Sequence, residues 1–293
     1  MVTVRAPATT ANMGSGYDVF GAALTRPADL VRVERAAETT IEVTGTGSRY
    51  VPEDPADNTA GVVAAELDAP AHVRVNKGVR PSSGLGSSAA SAAGAALALN
   101  ELYDLGYDRE QLVAVAAAGE AAVAGDAHRD NVAPALLGGF TAAGDELVQV
   151  DAEVPLVACL PETVVSTRDA REVVPESASV EDLVATVGNA ATLVAGTFRD
   201  DPALVGAGMD DPVVTPARAA LIDGYEAARE AALAAGATGV TVSGSGPTVV
   251  AACYPEDRRA VASAMVDAFV DADVRARAYQ TAVGPGARVL DGR

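Results

Sequence analysis

Pro81-Ser82-Ser83-Gly84-Leu85-Gly86-Ser87-Ser88-Ala89-Ala90-Ser91 is the stretch of this 293-residue chain that most restricts its fold. A turn rich in glycine and serine leads directly into an alanine-rich segment, which predicts a helix over 88–102. Gly84 and Gly86 can adopt positive φ and let a ligand approach the bare backbone. The unpaired N–H groups of the first helical turn point at that ligand, and the helix dipole favours negative charge. The stretch therefore predicts an anion cradle, which we interpret as a nucleotide-phosphate loop.

Three alternative interpretations of this stretch explain it less well. A serine that caps a buried helix accounts for one serine, but not for the two glycines and the remaining serines. A P-loop needs a lysine after its last glycine, and none follows here. Residues 84–89 match a dinucleotide fingerprint, but the strand candidate 72–75 ends well before Gly84 and the acidic Glu101 lies within the next helix. A dinucleotide oxidoreductase is therefore the least favoured class.

The composition indicates a globular protein without a membrane segment. Hydrophobic residues make up 49% of the chain, and its length suits one large or two medium domains. No run approaches 18 uncharged apolar residues, and the first residues do not resemble a signal peptide. We therefore expect a cytoplasmic protein with no membrane partner.

The net charge of −19 argues against a nucleic-acid partner, because phosphate neutralisation needs lysine and arginine. Lys77 is the only lysine, and the acidic residues are dispersed rather than gathered in a tail. This pattern resembles that of cytosolic proteins from salt-accumulating halophiles. At molar salt the Debye length is only about 3 Å, so the self-repulsion is screened.

The thiol and imidazole side chains do not predict a transition-metal site. Two cysteines and two histidines are too few for a zinc cage. Cys159 and Cys253 both lie in apolar runs, where we expect buried, unreactive thiols.

Strand and helix patterns alternate along the chain and predict an α+β fold with a boundary near residue 155. In the first part, 1–155, strands are predicted at 2–5, 30–34, 41–44 and 72–76, helices at 58–67, 88–102 and 109–124, and a hairpin at 136–141 and 147–150. In the second part, 156–293, strands are predicted at 156–160, 239–243, 248–254 and 274–281, and helices at 169–174, 180–198, 218–235 and 255–269. This order is compatible with a ferredoxin-like sandwich in the second part.

Two further turns share the composition of residues 81–91. Residues 9–18 read TTANMGSGYD and follow the first strand, while residues 243–248 read SGSGPT and join two apolar strands. The second could be a plain hairpin turn, since such turns are often rich in glycine. However, six residues of glycine, serine, proline and threonine alone are more polar than a hairpin requires. Their amides could form a second anion nest beside the first.

Residues 7–18, 81–91 and 243–248, in this order, resemble the three motifs of the GHMP kinase superfamily, and the resemblance covers essentially the whole chain. It implies a two-domain fold, with an N-terminal domain like ribosomal protein S5 domain 2 and a C-terminal ferredoxin-like sandwich. No basic residue follows Pro7 in the first motif, which continues as GYDVFG at 16–21. Together with GE at 119–120, HRDNVAP at 128–134 and GGF at 138–140, this pattern is similar to that of homoserine kinases within the superfamily.

The resemblance implies ATP-dependent phosphorylation of L-homoserine to O-phospho-L-homoserine, a step towards threonine. Residues 81–91 would hold the ATP phosphates, and Asn58 would lie near the adenine. Ser88 and Glu120 would hold Mg²⁺, a hard ion that prefers oxygen ligands. Without the motif, Glu120 would be interpreted as part of a solvated face of helix 109–124. Asn131, Ser88 and Glu120 would surround the reacting phosphate.

The same resemblance implies an acceptor site for a zwitterion. Arg171 and Arg218 would bind the carboxylate, since guanidinium groups suit carboxylates. Asn12 and Asp18 would contact the substrate, and His128 with Asp130 would lie at its amino end. The implied substrate site is Asn12, Asp18, His128, Asp130, Thr167, Arg171, Arg218, Gly244, Ser245 and Gly246. A homodimer is the oligomeric state that the resemblance suggests.

The residue at position 131 predicts how the phosphoryl group is transferred. Related kinases for mevalonate carry an aspartate base and a lysine near the acceptor oxygen, whereas this chain has Asn131 and no first-motif lysine. Because asparagine cannot accept a proton as a general base, we hypothesise direct transfer, with positioning and Mg²⁺ stabilising the charge and the phosphate taking the proton. Kinases for mevalonate or shikimate and a non-catalytic amino-acid sensor remain alternatives.

Overall fold

The computed structural model describes residues 1–125 and 127–292. Its strands are β1 (Val2–Ala11), β2 (Phe20–Arg35), β3 (Thr40–Gly45), β4 (Ala71–Lys77), β5 (Phe140–Ala143), β6 (Leu147–Val150), β7 (Pro155–Pro161), β8 (Ala237–Val242), β9 (Val249–Cys253), β10 (Ala276–Ala282) and β11 (Arg288–Gly292). Its α-helices are α1 (Thr59–Glu66), α2 (Ser87–Tyr103), α3 (Arg109–Ala124), α4 (Arg129–Leu137), α5 (Thr167–Glu172), α6 (Val180–Thr197), α7 (Pro202–Gly208), α8 (Val214–Ala219), α9 (Tyr225–Ala234) and α10 (Arg258–Asp271).

Seven of the described strands form a first sheet in the order β11-β1-β2-β4-β3, with β5 pairing β2 and β6 pairing β5. The β3–β4 pair is parallel and the others are antiparallel. Helix α2 packs on this sheet and is buried over most of its length, which its run of alanines permits. At Gly94 a Cβ atom would lie 2.6 Å from Val31 Cγ2, so the helix approaches the sheet more closely than a larger residue allows.

The other four described strands form a second, fully antiparallel sheet in the order β10-β7-β9-β8. Numbered along the second half of the chain, this is the order 4-1-3-2, with helices between strands one and two and between three and four. The α+β class and the ferredoxin-like second half are therefore confirmed. The division at 155 stays a prediction, although β7 does begin at Pro155.

The final strand lies outside the predicted pattern. β11 returns to the first sheet and pairs with β1 at its edge. The last described residues thus close the sheet to which the first residues belong.

Two sequence predictions about elements are wrong. The predicted helix 218–235 is two helices, α8 and α9, separated at Gly224, which adopts a φ of 84° where a Cβ would lie 3.0 Å from Phe269 Cδ1. The predicted strand 136–141 begins only at Phe140, because residues 136–137 end helix α4. Leu136 and Leu137 are adjacent apolar residues directly before two glycines, and so short an apolar run does not distinguish the end of a helix from a strand.

None of the helices in the described part of the chain is long and apolar enough to cross a membrane.

Candidate active site

The three glycine-rich turns meet at the beginning of helix α2. The hydroxyl of Ser243 donates to the carbonyl of Gly84 at 2.7 Å, and that of Thr248 donates to the carbonyl of Ser83 at 2.6 Å. The amide of Gly244 donates to the carbonyl of Ala11 at 3.1 Å, which ties the third turn to the first. Gly84 has a φ of 76°, and a Cβ there would lie 2.5 Å from the carbonyl oxygen of Ser243. Only glycine allows the two loops to approach this closely.

Helix α2 begins at Ser87 without a side-chain cap. Its N-cap residue is Gly86, with a φ of 61°, and no side chain of residues 1–125 or 127–292 caps the amides of its first turn. The hydroxyl of Ser87 donates instead to the carbonyl of Val79 at 2.8 Å, and that of Ser88 donates to Glu120. The alternative in which a serine caps this helix is therefore wrong. The first-turn amides stay available to an anion.

A buried ion pair between Lys77 and Asp29 lies next to the first turn of α2. Lys77, the only lysine of the chain, is 3% exposed at the end of β4. Its Nζ donates to Asp29, to the carbonyl of Ser87 at 2.7 Å and to the hydroxyl of Ser91 at 2.8 Å. Burial lowers the pKa of Lys77. Since its donors are engaged, we interpret Lys77 as a residue that positions the start of α2.

Glu120 forms a second buried acidic group on the other side of this turn. Only 1% of Glu120 is exposed, and its Oε2 accepts the Ser88 hydroxyl at 3.0 Å. The Nδ1 of His128 lies 3.4 Å from the same oxygen. The other oxygen, Oε1, is buried and has no hydrogen-bond partner among the described residues. A buried carboxylate oxygen is costly when unpartnered, so this arrangement fits a bound cation.

The donor set around Glu120 also constrains the kind of cation. No group of three or more histidine, cysteine, aspartate or glutamate side chains that could enclose a metal occurs in residues 1–125 and 127–292. One hydroxyl and one carboxylate instead suit an ion that keeps waters and phosphate oxygens as its other ligands, as Mg²⁺ does.

Asn131 lies at the first turn of α4, directly above Gly86. The hydroxyl of Thr9 donates to its Oδ1 at 2.7 Å, and its Nδ2 lies 3.4 Å from Asp130 Oδ1. These contacts fix which end of the amide is the acceptor. Asp130 is buried, and its burial, with a smaller effect from Asp18, raises the pKa of that carboxyl to about 6.

Two arginines approach the first motif from the second half of the chain. Arg218 is buried; its Nε donates to the carbonyl of Ala170 at 3.0 Å, and its NH1 donates to that of Gly244 at 2.7 Å. Its guanidinium lies 5.0 Å from the ring centre of Tyr17, a cation–π distance. Burial is the main cause that lowers the pKa of Arg218.

The second arginine is more exposed and faces the first motif directly. Arg171 NH1 lies 3.4 Å from Asp18 Oδ2. The backbone amide of Asp18 in turn donates to Asn12 Oδ1 at 3.0 Å, and Asn12 Nδ2 donates to the carbonyl of Gly244 at 3.1 Å. Polar groups of the first and third motifs are thus gathered beside Arg171.

One cavity is lined by most of the residues that the sequence predicted for the site. They are Asn12, Asp18, Asn58, Pro81, Ser82, Ser83, Gly84, Gly86, Ser87, Ser88, Ala89, Ser91, Glu120, His128, Asp130, Asn131, Thr167, Arg171, Arg218, Gly244 and Ser245. Three predicted residues do not line it. Leu85 and Ala90 are buried in the core, and Gly246 is packed between the backbone of Gly84 and the side chain of Ile222.

The structure also adds residues that the sequence did not predict. Tyr50, Val51 and Pro52 line the cavity near Asn58 and give it an apolar wall. Asn58 itself caps α1 through the Ala60 amide and donates to the Pro52 carbonyl at 2.6 Å, so its amide holds this wall in place. Nothing in the local sequence connected the wall with the phosphate loop, because contacts between distant residues bring them together; at Gly47, for example, a Cβ would lie 2.9 Å from Pro81 Cδ.

Family models match both halves of the chain. The model described as "GHMP kinases N terminal domain" matches residues 56–139, and that described as "GHMP kinases C terminal" matches residues 193–271. The crystal structure of L. major mevalonate kinase in complex with R-mevalonate shares the fold, with a TM-score of 0.72 at 15% identity over 96% of this chain and 95% of that one. The fold and the site thus define a GHMP kinase.

Relatives with higher sequence identity show which family of GHMP kinases the chain belongs to. The chain is 69% identical over 291 residues to the homoserine kinase of Haloarcula marismortui, covering 99% of this chain and 100% of the relative. It is 48% identical over 294 residues to that of Methanocella arvoryzae, covering 99% and 97%. The crystal structure of homoserine kinase from Cytophaga hutchinsonii matches with a TM-score of 0.91 at 33% identity, over 99% and 97% of the chains. The chain belongs to the homoserine kinase family, and membership of a kinase family implies the use of ATP.

Proposed function

We propose that this chain transfers the terminal phosphoryl group of ATP to the hydroxyl of L-homoserine, giving ADP and O-phospho-L-homoserine. One observation carries the proposal: a single cavity is lined both by the uncapped first turn of α2 and by the two arginines, Arg171 and Arg218. The first suits phosphate and the second suits the carboxylate of an amino acid.

The donor side of the proposal rests on residues 81–91 and on the apolar wall. Amides of the first turn of α2 bind the phosphates, and the wall formed by Tyr50, Val51 and Pro52 offers the adenine a flat apolar surface. Ser88 and Glu120 would hold Mg²⁺, which when bound would neutralise charge on the phosphates. The orphaned Oε1 of Glu120 supports this role. His128 lies beside the other oxygen and helps to orient the carboxylate.

The acceptor side of the proposal uses the opposite charges of a zwitterion. Arg218 is held by two carbonyls and a tyrosine ring, so its guanidinium is oriented before substrate arrives. With Arg171 it binds the carboxylate of homoserine. Asp18 and Asp130 line the same cavity and bind the ammonium group. Asn12, held by Gly244, contacts the substrate between these charges.

Transfer proceeds without a side-chain base at position 131. The Oδ1 of Asn131 is engaged by the Thr9 hydroxyl, and an amide oxygen cannot take up the acceptor's proton. The amide positions the acceptor hydroxyl beside the phosphate, and the proton passes to the transferred phosphoryl group. Positioning and charge stabilisation supply the rate, as is typical for phosphoryl transfer.

A coupled ADP-release assay in molar KCl tests the proposal, with homoserine, mevalonate and shikimate compared side by side. We expect turnover with homoserine well above that with the other two acceptors, and ³¹P NMR should identify a phosphate monoester of homoserine. Turnover no higher than background with homoserine would refute the proposal. Preference for another acceptor would reassign the substrate, and absence of turnover with all three would favour the amino-acid sensor.

A further inference from the structure

A second cavity lies between the two halves of the chain and shares no lining residue with the candidate active site. Its walls come from the start of α3, the end of α4, the start of α10 and the segment between β10 and β11. Three arginines line it, Arg109, Arg258 and Arg288, and we call it the arginine cavity. Two carboxylates, Asp151 and Glu153, also line it.

These three arginines form no direct ion pair with a carboxylate of the described residues. Within residues 1–125 and 127–292, none of the three lies within 4.0 Å of a carboxylate oxygen. Arg258 Nε is also buried without a hydrogen-bond partner among the described residues. An unpartnered guanidinium nitrogen is costly, because burial removes its water.

A fourth arginine increases the positive charge at this position. Arg288 in β11 lies directly opposite Arg5 in β1, so two like charges face each other across the ladder. Such cross-strand pairs of like charge are destabilising. Burial, and after it the charge of Arg288, lower the pKa of Arg5. An anion bound in the arginine cavity would offset this repulsion.

The chemistry of the lining defines the class of ligand. A guanidinium group binds the oxygens of phosphates and carboxylates through two parallel hydrogen bonds. Asp151 and Glu153 exclude an extended polyanion, because their charges would repel one. We propose that the arginine cavity is a second binding site, for a small anion that carries a phosphate or carboxylate group.

Helix α4 connects this cavity to the candidate active site. Its first turn carries Asp130 and Asn131, which line the active site. At its other end, Arg109 donates to the carbonyl of Leu136 and also to that of Ala287 at 2.8 Å. An anion that engages Arg109 competes with these two carbonyls and so perturbs the end of α4. This coupling rests on the proposed function, and we expect it to change the KM for homoserine.

Binding is tested first, without any use of activity. ADP and Mg²⁺ are kept saturating, so that the phosphate loop is occupied, and inorganic phosphate or acetate is titrated calorimetrically at constant molar KCl. We expect one of the two anions to bind, with affinity at least about tenfold lower in Arg258→Gln and in Arg288→Gln, since each loses charge-assisted hydrogen bonds. Arg259→Gln is the matched control, because Arg259 is exposed on the same helix and does not line the cavity.

The outcomes separate this proposal from the proposed function. Binding of either anion that weakens in both cavity variants, but not in Arg259→Gln, supports the site and identifies which anion it prefers. No binding to the native protein, or equal binding by all three variants, would overturn it. Circular dichroism confirms that each variant is folded, and two independent variants guard against one that is not. Homoserine kinetics with and without the anion then test the coupling; absence of homoserine turnover with intact anion binding would refute only the proposed function.

Discussion

Asp29 and Glu120 are two buried carboxylates on either side of the first turn of α2, and they differ in how their oxygens are satisfied. Asp29 is fully buried. Its Oδ1 accepts the amides of Gly78 and Val79, each at 2.9 Å, and its Oδ2 accepts Lys77 and the hydroxyl of Ser91. Glu120 is equally buried, but one of its oxygens has no partner among the described residues.

This difference indicates that Asp29 stabilises the fold, whereas Glu120 is suited to bind a ligand. Each oxygen of Asp29 accepts hydrogen bonds from two donors of the chain, and these bonds compensate for its burial. Glu120 pays a desolvation cost that the described residues do not repay. Unsatisfied buried groups of this kind concentrate at functional sites. The Lys77–Asp29 ion pair thus fixes the first turn of α2 on one side, and Glu120 on the other side has an oxygen that can bind a ligand.

The largest expected effect is a loss of stability when the Lys77–Asp29 ion pair is removed. Lys77→Met leaves the buried carboxylate of Asp29 without its cation, and we expect the free energy of unfolding to fall by about 3–5 kcal/mol. Guanidinium chloride titration followed by circular dichroism measures it. The double variant Lys77→Met/Asp29→Asn is the control, since it removes both charges and keeps an acceptor for the two amides; it should recover part of the loss. A single variant as stable as the native chain would contradict the comparison.

A substitution of Glu120 should affect activity rather than stability. Glu120→Gln keeps the shape of the side chain but removes its charge, and we expect kcat to fall by more than about 100-fold, beyond the effect typical of residues that only support a metal ligand. The melting temperature should not decrease, because a poorly compensated charge is removed. Glu110→Gln, on the exposed face of the same helix, should leave both quantities unchanged. Full activity in Glu120→Gln would remove the functional side of the comparison.

A smaller effect on activity is expected for Asn131, which lines the same cavity as Glu120. If no base acts here, Asn131→Ala should keep measurable turnover, with a loss in kcat below about 100-fold, the lower end of what a general base contributes. Steady-state kinetics and a homoserine binding titration measure the two contributions separately. Complete loss of turnover with intact homoserine binding would show that the amide has a direct chemical role.

The smallest effect concerns Asp130, a third buried carboxylate, whose pKa is raised to about 6. Above that pH it is ionised and able to bind an ammonium group, so kcat/KM for homoserine should fall by about tenfold per pH unit below 6. Because its pKa is raised on folding, the ionised form costs stability, and acidification through pH 6 relieves that cost. Asp130→Asn should lack both dependences. A pH profile with the same inflection in Asp130→Asn would assign it to another group.

The sequence predicted those features that depend on local composition. The Gly84–Gly86 turn, the alanine helix after it and the second glycine-rich loop are each recognisable within a dozen residues. Their assembly into one cavity followed from the family resemblance, since no spacing rule connects residues 84 and 243. Conversely, the break at Gly224 was missed because helix-forming residues flank it on both sides.

The features that could not be predicted depend on contacts distant in sequence. Lys77 finds Asp29 48 residues away, and nothing in either neighbourhood marks the pair. The apolar wall at 50–52 becomes part of the site through tertiary contacts, one of which is the hydrogen bond from Asn58 to the Pro52 carbonyl. Strand β11 joins the first sheet after the whole second half of the chain has intervened. The orphaned oxygen of Glu120 is likewise a property of packing: the sequence identified the residue, but not its state.

The burial of Lys77 makes the chain unusual as a target for amine chemistry. With no other lysine in the sequence, the folded molecule presents no accessible lysine side chain. Reagents that acylate lysine should therefore leave the native protein without a label on any lysine side chain. Such a label can appear only when the sheet opens and releases Lys77 from Asp29. The extent of labelling at Lys77, read by peptide mass spectrometry over time, would count the molecules that have opened under chosen salt conditions.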